Sequence, residues 1–187
     1  MGKVRAIEIL KRHYPESGIT YQSLIAHGDA IAGKAVSFIQ RNHKLGLDEE
    51  LIIEAAYLHD IGISDTHAPS IGCFGDAPYI AHGIIGRQRL ESEGLIEHAL
   101  IAERHIGVGL TREEIEANRW PLPQRDMMPE TAEEEAVCFL DLFFSKTPGR
   151  WAHEKSLSGI RQNLIRYGDR HVLVFDQWCR KFREPES

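Results

Sequence analysis

The chain lacks any uninterrupted apolar run near the roughly 20 residues that a bilayer-crossing helix requires. Its opening, Met1-Gly2-Lys3-Val4-Arg5-Ala6-Ile7-Glu8, has no apolar secretory segment, and Ala6 stands where a myristoylation signal calls for Ser or Thr. Cysteine is scarce. Cys73, Cys138 and Cys179 are isolated and odd in number, which argues against a disulfide framework or a zinc knuckle and fits a reducing compartment. An excess of positive charge is missing too: 22 Lys and Arg face 28 Asp and Glu, a net charge of -6. No broad basic surface for nucleic acid is expected from that balance. Repeats, low-complexity segments and convincing strand runs are likewise absent. The expectation is a cytoplasmic globular protein with neither a membrane nor a nucleic-acid partner. Its 187 residues suit one domain with a sizeable core.

Helix signals fill most of the chain. Val4 to His13 reads as a short amphipathic helix ending before Pro15. Thr20 is the expected N-cap of a long helix reaching about Asn42, with Leu24, His27, Ile31, Ala35 and Phe38 on one stripe. Gly46 and Asp48 punctuate the next start, and Glu49 to His59 reads as helix ended by Gly62. Residues 64–79 dissolve into Gly, Pro, Ser and Asp, a long loop of the kind that often forms a lid or binding segment. Helices are expected over Ile80 to Glu93 and Ile96 to His105, split by Gly94. Thr111…Glu114 and Thr131…Glu134 match the capping-box pattern, the second opening a helix toward Phe144. After Pro148 and Gly149 the tail is again helical, broken near Gly168. This is an all-α domain.

Six residues interrupt that pattern: His27, the pair His59-Asp60, His82, His105 and Asp141. Each falls on the apolar stripe of its segment, where a lone imidazole or carboxylate needs a partner. One buried His is more often an ordinary core residue, and Asp141, between Leu140 and Leu142, has a salt bridge to Lys or Arg as its plainer alternative. Six such intrusions over five segments suggest convergence on a buried polar centre that a metal pair would satisfy.

His27, His59-Asp60-Ile61-Gly62 and Asp141 together resemble the His…His-Asp…Asp pattern of the HD-domain metal-dependent phosphohydrolases, with the HDIG form of the doublet. His82 and His105 are similar to the extra histidine pair of dinuclear members. The resemblance covers roughly residues 21–146 of a single domain, leaving 147–187 as a helical C-terminal extension. It implies a compact helical bundle in which His27, His59, Asp60 and Asp141 hold one ion, His82 and His105 hold the second, and Asp60 bridges. Mixed imidazole and carboxylate donors suit iron or manganese, with cobalt, nickel or zinc as alternatives. Ile63, Ser64 and Asp65 stand where many of these hydrolases carry a lysine, which is a departure from the pattern.

The resemblance implies hydrolysis of a small phosphate ester, such as a nucleotide, with the two ions about 3.5–4 Å apart sharing a hydroxide. Asp60 would serve the chemistry as well as the ions. Arg104 and Lys146 are the expected protein cations at the phosphoryl oxygens, and His67, in the loop, the expected proton donor to the leaving group; solvated surface charge is the plainer alternative for the two cations. Two other functions stand beside this one: a di-iron oxygenase cleaving a carbon–carbon or carbon–phosphorus bond, and a non-catalytic module binding metal or nucleotide. A homodimer is left open. His98 is expected beside the site or in the core, and His13, His43, His153 and His171 at surface or packing positions.

Overall fold

The computed structural model describes residues 2–185. Among these residues nine α-helices follow one another: α1 (Gly2–His13), α2 (Ile19–Arg41), α3 (Glu49–Leu58), α4 (His82–Ser92), α5 (Ile96–Arg104), α6 (Arg112–Asn118), α7 (Ala132–Asp141), α8 (Leu157–Leu164) and α9 (Asp169–Lys181). The all-α expectation holds, with one small exception. Within the segment expected to be plain loop, β1 (His67–Ala68) and β2 (Cys73–Phe74) pair antiparallel, with His67 opposite Phe74. Two residues per strand carry too little alternation for a sequence pattern to show.

Helix α3 is the axis of the fold. Asp48 caps it by accepting the Leu51 amide at 3.0 Å, and Glu49 and Glu50 complement its positive end. It then runs apolar on nearly every face, with Ile52, Ala55, Ala56, Tyr57 and Leu58 buried against α1, α2, α5 and α7. A helix hydrophobic all round belongs inside a protein, and its C-terminal end therefore delivers His59 and Asp60 to the middle of the molecule. Helices α4 and α5 pack closely as an antiparallel neighbour pair on one side. On another side α9 closes over α7 and α2 through a ring cluster in which Phe139 touches Phe38, Phe143, Phe175, Trp178 and Phe182. A smaller apolar group around Leu110, Ile115, Leu122 and Met127 seats α6.

Two local expectations are corrected. The N-cap of α2 is Gly18, and Thr20 lies inside the helix. The Thr20 hydroxyl instead donates to the Ile71 carbonyl at 3.0 Å, tying α2 to the loop before β2. Gly62 does not end α3, which stops at Leu58 with His59 as its cap. Its φ of -86° suits any residue. What requires glycine there is proximity, because a Cβ would overlap the His82 carbonyl and the Gly86 nitrogen of α4.

Candidate metal centre

Five helices and one stretch of loop aim polar atoms at a single buried point. His27 comes from the middle of α2, His59 and Asp60 from the end of α3, His82 from the first turn of α4, His105 from the end of α5 and Asp141 from the last turn of α7. His27, His59, Asp60, His82 and His105 are 3% exposed or less. Lys146, in the chain just beyond α7, reaches the same point.

Asp60 divides the cluster. Its Oδ2 lies 3.2 Å from His59 Nε2, 3.8 Å from His27 Nε2 and 3.0 Å from Lys146 Nζ. Its Oδ1 lies 3.3 Å from Nε2 of both His82 and His105. Asp141 Oδ1 completes the first side, 2.8 Å from His27 Nε2 and 3.6 Å from His59 Nε2. Two donor groups, His27–His59–Asp141 and His59–Asp60–His105, are tight enough to hold an ion.

The proton positions follow from the backbone. His59 Nδ1 lies 2.9 Å from the Ala55 carbonyl, His82 Nδ1 2.6 Å from that of Tyr79 and His105 Nδ1 2.8 Å from that of Ala102. A carbonyl only accepts, so each Nδ1 carries the proton and each Nε2 turns a bare lone pair inward. His82 Nε2 and His105 Nε2 are 3.1 Å apart, a hydrogen-bond distance between two atoms that both lack a proton in the neutral rings. His59 Nε2 and both Asp60 oxygens are buried without a hydrogen-bond partner among the described residues. Lone pairs and carboxylate charge crowded with so few donors fit a cation between them, and the imidazole–carboxylate set fits transition-metal ions.

Burial keeps the His27, His82 and His105 rings neutral. It pushes His27 and His82 down to about 4 and His105 well below its ordinary value. Burial opposes ionisation of Asp141, but hydrogen bonds and electrostatic attraction from His27 and His59 prevail and hold its carboxyl well below the usual range. Burial, aided by the Lys155 ammonium, pushes Lys146 down to about 7.

A cavity of about 610 Å³ opens beside this cluster. Tyr79, His82, Leu142 and Lys155 form its inner end; Glu114, Trp120, Tyr167 and His171 line its outer part. The Tyr79 ring packs 4.6 Å from that of His82, and Lys155 Nζ donates to the carbonyls of Leu142 and Phe144 at 2.9 and 2.6 Å.

The structure thus brings together the six expected donors and Lys146, and leaves two expected residues elsewhere. Arg104 pairs with Glu134 at 2.9 Å and Glu130 at 3.1 Å and touches none of the donors. His67 is exposed on β1, its amide bonded to the Ala77 carbonyl, with no bond to the cluster. His98 faces Glu54 at 2.9 Å in the core between α5 and α3. Sequence reasoning missed Tyr79, Trp120, Lys155 and His171 as cavity residues. Only the Tyr79–His82 spacing of one turn hinted at any of them, since the others come from distant segments.

No family model matches the chain, and no solved structure matches it. Among curated proteins, an uncharacterized protein of Methanocaldococcus jannaschii is 35% identical over 140 residues, covering 73% of this chain and 72% of that protein. A tRNA (cytidine(56)-2'-O)-methyltransferase of Picrophilus torridus is 36% identical over 95 residues, half of this chain and 24% of the enzyme. A protein of the same name from Thermoplasma volcanium is 32% identical over 123 residues, 65% of this chain and 32% of the enzyme. The chain thus spans about a quarter to a third of these two methyltransferases.

These relatives correct the expected activity. They are named for methylating a ribose oxygen of tRNA, so the expected hydrolysis of a small phosphate ester gives way, and with it the oxygenase and the stand-alone binding module. The expected exclusion of nucleic acid gives way for the same reason. Net charge was a poor guide because it sums the whole surface, whereas RNA can be met by a few local cations or by another part of a larger protein. No helix among the described residues is long and apolar enough to cross a membrane.

Proposed function

This chain belongs to the family of the Methanocaldococcus jannaschii protein, and from that premise we propose that it serves 2'-O-methylation of tRNA as a helical part holding a buried pair of metal ions. The relatives' names support the RNA setting. The metal centre is carried by one observation, the bare Nε2 atoms of His82 and His105 facing each other and Asp60 Oδ1 with no proton between them.

His27, His59, Asp60 and Asp141 would hold one divalent ion, and His82 and His105 the second, with Asp60 reaching both. Iron and manganese suit these donors, as do cobalt, nickel and zinc. When bound, such ions supply positive charge that draws in and polarises a ligand oxygen. The protein's own part is distinct. Backbone carbonyls orient three of the imidazoles, Lys146 offsets the Asp60 charge, and Tyr79 packs against His82 at the inner end of the cavity.

Elemental mass spectrometry on protein purified without chelator, beside gel-shift titration with a tRNA transcript, tests both halves. Close to two transition-metal ions per chain with saturable tRNA binding is the expected result. An absence of metal after reconstitution defeats the ion pair; an absence of tRNA binding defeats the RNA setting.

A further inference from the structure

The cavity beside the metal donors has two unlike ends. Its inner end carries His82 and the Lys155 ammonium. Its outer wall is largely aromatic and aliphatic, with Trp120 from the chain after α6, Ile160 and Leu164 from α8, and Tyr167 from the turn before α9. A volume of about 610 Å³ is ample for one nucleoside and lies within the ordinary range of ligand sites. Much of this wall comes from the tail, past the segment that carries the HDIG resemblance.

One polar group in that wall stands out. His171 is only 6% exposed. Its Nε2 lies 2.8 Å from Glu114 Oε1, and the carboxylate is pinned by Arg170 Nε at 3.0 Å and Nη2 at 2.7 Å. The Nε2 therefore carries the ring proton and donates it, leaving Nδ1 as a bare acceptor. That Nδ1 is buried and finds no partner among the described residues. A buried acceptor left open beside a cavity calls for a donor from outside the chain.

We propose that this cavity receives a single base turned out of an RNA strand, stacked on Trp120 with an N–H of its edge donated to His171, and with its ribose directed toward His82. The choice of RNA rests on the tRNA reading above. Exposed Arg166, on the cavity wall and without an ion pair among the described residues, meets the strand's phosphates. Aromatic faces with nearby cations are how proteins hold unpaired bases, since every base offers a π-face and every nucleotide a charge. An RNA base reaches such a pocket only by leaving its stack, at a cost smallest for a residue already unpaired.

The test uses the full chain with its ions restored and a short single-stranded RNA, compared with the same RNA lacking one central base. Binding is followed by anisotropy and by quenching of tryptophan emission. The intact RNA is expected to bind about tenfold tighter, the loss of one base stack. Trp120→Ala and His171→Phe should abolish that preference, Trp120→Phe should keep most of it, and all three should retain wild-type metal content. Equal binding of both RNAs, or a preference that survives Trp120→Ala and His171→Phe, overturns the proposal. A tRNA transcript and free cytidine separate it from the functional reading. Binding of tRNA without the base preference defeats the cavity alone; tryptophan quenching by cytidine that Trp120→Ala removes, without tRNA binding, defeats the RNA setting alone; failure of both defeats both.

Discussion

Between His82 and His105 two unprotonated ring nitrogens are held 3.1 Å apart, and each is fixed in that state by a backbone carbonyl behind it. Removing one donor should empty the site: His59→Ala and Asp60→Ala are each expected to lower metal content by at least about tenfold, since losing even a group that only orients a ligand costs about 10–100-fold in affinity, as elemental analysis would show. The rings also set a pH response. Burial holds His27 and His82 near 4, below the ordinary 6.5, so the unfolded chain binds more protons between those values. Metal-free protein should therefore lose stability as pH falls from about 6.5 to about 4, by up to about 1.4 kcal/mol per pH unit for each imidazole. Urea midpoints across that window would measure it; a flat profile would mean the rings are not held neutral. At this scale the sequence was informative wherever a donor broke an apolar stripe, as His27 and Asp141 do. It misled at Arg104. Neighbours on a helix point about 100° apart, and the residue before His105 is turned away, to Glu134.

Helix ends were legible where a capping side chain serves its own helix. Asp48, Thr111 and Thr131 each accept an amide three residues on, and Glu114 returns the bond to Thr111. Thr20 was not legible because its hydroxyl is spent on Ile71, and nothing in the local pattern announces so distant a partner. Gly62 was recognised but given the wrong task. Its backbone lies so close to α4 that one methyl group would overlap the His82 carbonyl. Gly62→Ala should cost about 1–3 kcal/mol, the usual penalty for overpacking, and should also push His82 away from Asp60. Denaturation with a parallel metal assay checks both. A variant of wild-type stability and metal content would show that α4 can shift without disturbing the centre.

For the molecule as a whole, the Phe139 cluster fastens the C-terminal helices to the bundle. Phe139 is fully buried and touches five aromatic partners, on α2, on α9 and in the chain just after α7 and α9. Phe139→Ala should lower stability by about 3–5 kcal/mol, visible as a lower denaturant midpoint. Bound ions should add to that stability, by about 2.7 kcal/mol at a hundredfold excess over their dissociation constant, so chelation should lower the melting temperature. This union of parts was hidden from the sequence, since periodicity shows that a helix has an apolar face without naming the helix it meets. The cavity shows why the union matters. Its floor is tied to the ligating side chains, while much of its outer wall belongs to α8, α9 and the turn between them, which supply none. Substitutions in the tail can thus reshape what enters without touching what waits at the bottom, so chains with the same six donors are free to diverge in appetite.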